Sequence, residues 1–239
     1  MVSKERYYSQ EPFPHAIIDG FAPTDLINLA YKELIEVWPD YMYAMDANNT
    51  AAQNLKEFYP YRNAEDDADV YITRINEMKA VCPHVGQMFN ELTSDEFIQK
   101  LEEMTGITNL FADPYYAGGG IHKVKSGGHL NIHTDYMLHP VKPWYRRINL
   151  LLYLTPDWRY EWGGKFEMWN EECTERIQDV SPVQNRCVIF NTTSKSFHGH
   201  PRPLKTPQGI HRWSIALYYF TEHPPEGEEE HKTAQWRYV

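Results

Sequence analysis

Residues 118–135 read GGGIHKVKSGGHLNIHTD, and this stretch decides the fold class of the chain. Paired glycines separate short runs rich in Ile, Leu and Val, a pattern typical of strands joined by turns. It predicts strands near 120–125 and 128–134. Similar runs predict six more strands, near 147–154, 164–169, 173–180, 186–191, 195–200 and 211–220. Eight short strands at this spacing indicate a β-sandwich or jelly roll.

The first 112 residues follow a different pattern. Residues 12–20 predict a short strand, and apolar residues at helical spacing from Thr24 predict a helix that Pro39 ends near Trp38. Two more helices are expected between Tyr71 and Met104. The chain is therefore predicted to be mainly β with flanking helices, the N-terminal helices packing on one face of the β core.

Length and composition favour one folded domain spanning residues 1–239. Hydrophobic residues make up 42% and charged residues 23% of the 239 positions, which excludes a disordered chain and a coiled coil. We expect helical support over 1–112, the β core over 113–221 and a tail over 222–239. The segment Pro39–Val70 has no clean period and is the candidate lid. Its tyrosines are Tyr41, Tyr43, Tyr59 and Tyr61.

Charge and cysteine content exclude several classes of function. The formal net charge of −10 repels phosphate backbones, so a nucleic-acid partner is not expected. The three cysteines are widely spaced and include no C-x-x-C pair, which argues against a disulfide framework or a thiolate zinc site. The N-terminus lacks an apolar signal segment, and no run of eighteen apolar residues occurs. We therefore predict a cytoplasmic protein that does not span a membrane.

Four polar residues of the opening stretch share one side of a predicted strand. With a period of two, His129, Asn131, His133 and Asp135 project together. Imidazole nitrogen and carboxylate oxygen two positions apart can bind the same cation. The alternative is a surface histidine without a ligand.

A third candidate ligand lies in FNTTSKSFHGH, residues 190–200. His198 follows a predicted apolar strand, and two histidines with one carboxylate leave three positions of an octahedral metal open. His200 shares the strand face with His198 and is the rival ligand. Both could instead form only hydrogen bonds in a loop.

The last predicted strand, HRWSIALYYF, places Arg212 and Ser214 on one face. A buried arginine requires an anion, and its guanidinium suits a bidentate carboxylate. The alternative is an internal ion pair with Asp or Glu.

Together these motifs resemble the Fe(II)/2-oxoglutarate-dependent dioxygenases, specifically the prolyl 4-hydroxylase-like branch. The resemblance covers roughly residues 113–221 and rests on HTD (133–135), NLLLYLTPDW (149–158), WGGKFEMW (162–169), FNTTSKSFHGH (190–200) and HRWSIALYYF (211–220). It implies a double-stranded β-helix core, that is, a cupin-like jelly roll. It also implies a hydroxylase that oxidises an unactivated C–H bond with dioxygen and releases succinate and CO₂.

The resemblance assigns roles to individual residues. It implies that His133, Asp135 and His198 bind Fe(II) and that Arg212 binds the distal carboxylate of 2-oxoglutarate. Tyr153 and Ser214 are candidates to assist Arg212, and Asn131 is a candidate to contact the other end of the cosubstrate. Ascorbate is a further candidate cofactor. The family's substrates include peptidyl and free proline, other amino acids and sugar-linked metabolites, so a small-molecule or peptide substrate is expected.

Some features limit or depart from this interpretation. His198 and Arg212 are fourteen residues apart, longer than the commonest family spacing, so the loop PRPLKTPQG carries an insertion. Lys205 in that loop is expected to be a surface charge. Asp135 argues against a halogenase.

The alternative functions are a zinc-binding jelly roll with a hydrolytic or binding role, and an interaction protein with an aromatic surface. Neither has a specific need for Arg212.

Overall fold

The computed structural model describes residues 1–41, 45–46, 50–60, 68–225, 227 and 232–239. Within these ranges the chain forms five α-helices, one short 3₁₀ helix and twelve β-strands. The helices are α1 (Lys4–Tyr8), α2 (Thr24–Tyr41), α3 (Ala68–Val81), α4 (Pro83–Leu92) and α5 (Asp95–Thr105), with the 3₁₀ helix at Tyr160–Trp162. The strands are β1 (His15–Asp19), β2 (Met45–Asp46), β3 (Gln53–Tyr59), β4 (Phe111–Ala112), β5 (Gly120–Thr134), β6 (Tyr145–Tyr153), β7 (Phe166–Trp169), β8 (Arg176–Val180), β9 (Arg186–Asn191), β10 (His198–His200), β11 (Arg212–Thr221) and β12 (Gln235–Arg237).

The strands form one curled antiparallel sheet. Its main order is β1, β9, β6, β11, β5, β10, β7 and β8. Strands β3 and β12 also pair with β5, β4 pairs with β11, and β2 pairs with β3. This is the jelly roll with flanking helices that the sequence predicts.

The segment that decides the fold forms one strand rather than the two predicted. Strand β5 pairs with β11 over its first half and with β10 over its second half. Gly127 has a φ of +83°, and a Cβ atom at Gly128 would lie 2.9 Å from the Lys125 carbonyl oxygen. These glycines mark an irregularity inside a long strand, where a side chain would not fit, instead of a turn between two strands.

The remaining seven predicted strands, including the short one at 12–20, are present, with boundaries shifted by at most three residues. Strands β2, β3, β4 and β12 were not predicted, because no clean alternation marks them. Of these, β3 and β12 pair with β5, so they extend the sheet next to its longest strand.

Alternate residues of β6 separate the apolar core from an inner cavity. Leu150 and Leu152 are fully buried in one cluster with Phe89 of α4. Burial of such side chains stabilises the fold by roughly 1.5–3 kcal/mol each. The alternate residues Asn149 and Leu151 line the inner cavity. The helices therefore cover one face of the sheet, as predicted, and the other face is left to line the cavity.

The helices differ from the sequence prediction in two places. Helix α2 continues past Trp38 and through Pro39 to Tyr41. Proline removes one backbone N–H, but its fixed φ suits a helix, and near the helix end few hydrogen bonds are lost. Pro83 does mark a boundary, since it is the first residue of α4, where its missing N–H costs nothing. The region predicted to hold two helices therefore holds three.

Candidate metal and cosubstrate site

Three potential metal ligands meet inside the jelly roll. His133 at the end of β5, Asp135 just beyond it and His198 on β10 each offer one ligand atom, and these atoms lie within 4.8 Å of one another. The pairing of β10 with β5 produces this arrangement, because His198 lies directly opposite His133. All three side chains are buried. Their chemistry fits a divalent metal held by two imidazoles and one carboxylate.

Backbone carbonyls orient both imidazoles toward the carboxylate. The Nδ1 atom of His133 lies 2.8 Å from the Asn131 carbonyl oxygen, and the Nδ1 atom of His198 lies 2.8 Å from the Ser196 carbonyl oxygen. Nδ1 therefore donates in each ring and Nε2 carries the free lone pair. The Nε2 atoms lie 3.7 Å and 3.5 Å from the two Asp135 oxygens. Such supporting hydrogen bonds fix the tautomer and ring orientation of metal-binding histidines.

The electrostatics of the cavity keep these ligands in their metal-binding forms. Burial alone would raise the pKa of Asp135, but the charge of Arg146 and the neighbouring histidines lower it well below its ordinary value. Burial lowers the pKa of His198 to about 4. At neutral pH the carboxylate is therefore ionised and the His198 ring is neutral, which is the state that binds a metal.

Arg146 is a site residue that the sequence interpretation missed. It is fully buried, and its Nη2 lies 3.0 Å from Asp135 Oδ2. Its guanidinium carbon lies 3.3 Å from the centre of the Tyr218 ring. The pairing of β6 with β11 shifts register between Tyr219 and Phe220. Simple alternation along β6 puts Arg146 on the helix side, and this irregularity brings it to the cavity side instead.

The cavity also contains the predicted arginine of the last strand. Arg212 Nε donates to the Gly164 carbonyl oxygen at 2.9 Å, and its Nη2 donates to the Tyr153 hydroxyl at 3.2 Å. Ser214, paired with Tyr153 across the β6–β11 ladder, lines the cavity beside Arg212. Among the described residues, no carboxylate pairs with Arg212. The structure thus brings together the sequence-predicted residues Arg212, Tyr153 and Ser214.

Two other predicted residues have different positions. Asn131 does not line the cavity, because its side-chain amide donates to the Ala51 carbonyl oxygen at 2.6 Å. The register of β5 against β10 shifts between Leu130 and His133, so that Leu130 takes the inward position that alternation assigns to Asn131. His200 lines the cavity but is not part of the ligand cluster, which contains His198.

Further polar residues complete the cavity lining. Asn149 Nδ2 donates to Asp135 Oδ2 at 3.0 Å. Asn149 is therefore the fourth group around this carboxylate, after His133, His198 and Arg146. Lys56 of β3 and His122 of β5 also line the cavity. The sequence analysis missed Lys56 because β3 lies in the segment without a clean period. The one available signal was a cationic residue inside the run QNLKEFY, which alone does not distinguish an inward from an outward lysine.

The candidate lid and the tail are described only in part. Tyr43 and Tyr61 lie outside the described residues. Tyr59 is 4% exposed and its hydroxyl donates to the Arg74 carbonyl oxygen, so it belongs to the core and not to the cavity.

In the tail, Trp236 of β12 stacks on the metal-ligand candidate His133, with ring centres 4.7 Å apart. No helix among the described residues is both long and apolar enough to cross a bilayer.

Comparison with known families matches the part of the chain that carries this site. The family model described as the 2OG-Fe(II) oxygenase superfamily matches residues 119–220. No curated protein sequence matches the chain.

Solved structures with a similar fold span most of the chain. A prolyl hydroxylase from Trichoplax adhaerens, in complex with a hypoxia inducible factor peptide fragment, has a TM-score of 0.60 and 15% identity, covering 87% of this chain and 84% of its own. HygX from Streptomyces hygroscopicus, with nickel, 2-oxoglutarate and hygromycin B bound, has a TM-score of 0.57 and 13% identity, covering 92% and 88%. A Pseudomonas putida prolyl-4-hydroxylase has a TM-score of 0.51 and 15% identity, covering 89% and 95%.

The chain is similar to the 2OG-Fe(II) oxygenase superfamily over residues 119–220, and its fold is similar to that of the solved structures above. It is an oxidoreductase that uses Fe(II) and 2-oxoglutarate, and its fold is that of the prolyl hydroxylases. This class combines a resident metal with a keto-acid cosubstrate, so the remaining questions are which residues hold each of them and which substrate is oxidised.

Proposed function

We propose that His133, Asp135 and His198 bind Fe(II), and that Arg212 with Tyr153 binds the distal carboxylate of 2-oxoglutarate. The observation that carries this assignment is that one cavity holds a compact cluster of three metal-ligand side chains and a buried arginine without a carboxylate partner among the described residues. A buried guanidinium lacking an internal counterion is poised to bind an anionic ligand.

The reaction proposed is hydroxylation of a substrate C–H bond. When bound, Fe(II) supplies the activation of dioxygen that couples decarboxylation of 2-oxoglutarate to oxidation of the substrate. One oxygen atom enters the substrate and the other enters succinate, with CO₂ as the third product. The chain itself binds and orients: Arg212 fixes the far end of the keto acid, while Arg146 and Asn149 hold the Asp135 carboxylate in place.

The substrate class proposed is peptidyl or free proline, another amino acid, or a sugar-linked metabolite. The structural neighbours include a prolyl hydroxylase with a peptide and HygX with hygromycin B, which supports both kinds of substrate. Dioxygen is the second cosubstrate, and ascorbate is proposed as an auxiliary reductant.

A spectroscopic titration tests this assignment. Metal-free protein is reconstituted with Fe(II) without oxygen and titrated with 2-oxoglutarate, and a visible charge-transfer band is expected at one equivalent. The Zn(II) protein is the matched control and should show no band. Oxygen and a candidate substrate should then yield succinate and hydroxylated product in equal amounts. Tightly bound zinc, with no band after Fe(II) reconstitution and no succinate, would support the zinc-binding jelly roll instead.

A further inference from the structure

Lys56 is a cation inside the cavity that the proposed reaction does not use. Its strand, β3, pairs with β5 in a register that sets Lys56 opposite Val124, and on the other side of β5 Val124 is opposite Arg212. Residues directly opposite one another across strands share a face of the sheet. Lys56, Val124 and Arg212 therefore form one row, and all three line the cavity.

The neighbouring position on β3 faces the other way. Glu57 pairs with Lys123 at 3.0 Å and with Lys125, away from the cavity. Lys56 has no such carboxylate: among the described residues no hydrogen bond or ion pair to its ammonium is present. The backbone just before it is unusual, since Leu55 has a φ of 49° and the β3–β5 register shifts between Asn54 and Lys56. Irregularities of this kind often redirect side chains beside functional sites.

Lys56 lies in the field of the other cavity charges. Burial lowers its pKa to about 8, the nearby Asp135 opposes this effect, and Arg212 and Arg146 reinforce it. Asp135 is the one carboxylate among the described lining residues.

With Fe(II) and 2-oxoglutarate bound, the cavity would contain more positive than negative formal charge. Fe(II), Asp135 and the metal-binding carboxylate of 2-oxoglutarate sum to zero, and the distal carboxylate compensates Arg212. Two positive charges remain. Arg146 already contacts the Asp135 carboxylate at 3.0 Å, whereas Lys56 has no anionic partner among the described residues. An uncompensated buried charge is costly unless a ligand of opposite charge pairs with it.

The Arg212 clamp does not use Lys56. Arg212 donates to the Tyr153 hydroxyl on β6, the strand next to β11, and to the Gly164 carbonyl oxygen, which lies just before β7. Lys56 comes from β3, on the opposite side of β5, and the strand order separates it from Tyr153 by β11 and β5. Adjacent strands are about 4.8 Å apart, so the two backbones are separated by roughly 14 Å along the curled sheet. Because no described residue forms a hydrogen bond or ion pair with it, the Lys56 ammonium is available to a second ligand.

We propose that the substrate of this enzyme carries an anionic group, a carboxylate or a phosphate, that binds to the Lys56 ammonium. This inference rests on the proposed function, because it assumes that the cosubstrate occupies the Arg212 clamp. It narrows the substrate class to small acids, such as an amino acid with a free carboxylate or a phosphorylated sugar, and makes Lys56 a specificity residue.

Anion binding to the anaerobic Fe(II)–2-oxoglutarate protein tests the proposal. Sodium acetate and inorganic phosphate are titrated separately and followed by calorimetry and by the visible band. For the preferred anion the wild type should bind one equivalent, Lys56→Met should bind at least tenfold more weakly, and Lys56→Arg should stay within threefold of wild type. Lys125→Met, a lysine change on the other face of the same sheet, is the matched control and should bind like wild type.

Different negative results contradict the proposed function and the Lys56 proposal. An absent band in wild type contradicts the proposed function itself. A normal band with no saturable anion binding, or with equal binding by Lys56→Met and wild type, overturns the Lys56 proposal alone. A tenfold loss of 2-oxoglutarate affinity in Lys56→Met would instead assign the lysine to the cosubstrate.

Matched substrate pairs then identify the anion. Succinate release is compared for L-proline against L-prolinamide and for glucose 6-phosphate against glucose. The proposal expects faster release with the member that carries the carboxylate or phosphate in one pair, and loss of that preference in Lys56→Met. Faster release with both members that lack this group would contradict it.

Discussion

Two buried arginines adjoin the cavity, Arg146 at the proposed metal ligands (the metal end) and Arg212 at the proposed cosubstrate clamp (the clamp end), and their surroundings differ in one respect. Arg146 lies 3.0 Å from the carboxylate of Asp135 and stacks on Tyr218. Arg212 has only neutral partners in the described part of the chain, the Gly164 carbonyl and the Tyr153 hydroxyl. Arg146 therefore has a counterion inside the protein, whereas Arg212 has none in the described part of the chain. Under the proposed assignment the chain holds the metal end together, and the cosubstrate completes the clamp end.

The largest effect is expected at the metal end. Replacement of His198 by Ala removes one of three ligands, so the iron content after reconstitution should fall from one per chain to near zero. His200→Ala is the matched control, because His200 lines the cavity outside the ligand cluster, and it should retain the metal. Metal analysis and Mn(II) titration measure both variants. Normal metal content in His198→Ala together with loss in His200→Ala would reverse the choice of ligand.

At the clamp end, Arg212→Met should weaken 2-oxoglutarate binding about 100-fold, or about 2.7 kcal/mol, because the distal carboxylate loses its charged partner. Metal affinity should change less than twofold, since Arg212 does not touch the ligand cluster. Arg212→Lys should recover part of the loss, as an ammonium lacks the planar fork of a guanidinium. The anaerobic band titration gives the 2-oxoglutarate affinity of each variant. Equal affinity in wild type and Arg212→Met would contradict the clamp assignment.

Arg146→Met should reduce stability rather than cosubstrate affinity. It leaves the buried Asp135 without its cation, and breaking such a pair costs about 3–5 kcal/mol. Mn(II) should restore much of this loss, because the metal replaces the missing charge beside Asp135. Urea unfolding of the metal-free and Mn(II)-bound proteins measures both the loss of stability and its recovery by the metal.

The control for that change is Arg186→Met. Arg186 also pairs with an aspartate, Asp19, but the Asp19 side chain is 66% exposed, so the free energy of unfolding should change by less than about 1 kcal/mol. If the two arginine variants lose similar stability and Mn(II) rescues neither, Arg146 does not act through Asp135.

A smaller effect is expected from pH. Lys56 has a pKa of about 8, lowered by burial, so its positive charge is lost as the pH rises through this value. Acetate affinity in the Fe(II)–2-oxoglutarate protein should therefore fall about tenfold between pH 7 and pH 9. Lys56→Arg should show a flat profile, because a guanidinium stays charged. An equally flat pH profile of acetate affinity in the wild type would contradict the assignment of Lys56 as the anion-binding group. The charged and titratable groups around Lys56 are Asp135, Arg146, Arg212, His122 and His200.

The sequence predicts the positions of residues in regular strands better than those beside irregularities. Strand β11 keeps its alternation from Arg212 to Ser214, so both residues face inward as the pattern indicates. The proposed metal ligands were predicted by motif, and the structure brings their side chains together. Arg146 was missed because a register shift separates it from the regular part of β6. Lys56 was missed because β3 follows an irregular segment and carries no clean period. Local sequence patterns do not reveal where a strand gains or loses a residue relative to its partner.

The smallest effect concerns Asn131, which the resemblance associates with the cosubstrate. Strict alternation from His133 points Asn131 into the cavity, but the shift in the β5–β10 register turns it toward the Ala51 carbonyl. Asn131→Ala should thus change 2-oxoglutarate affinity less than twofold in the band titration. Asn149→Ala is the matched asparagine control inside the cavity, and it should weaken metal binding because Asn149 donates to Asp135. A tenfold loss of 2-oxoglutarate affinity in Asn131→Ala would mean that β5 regains regular alternation when the cosubstrate binds.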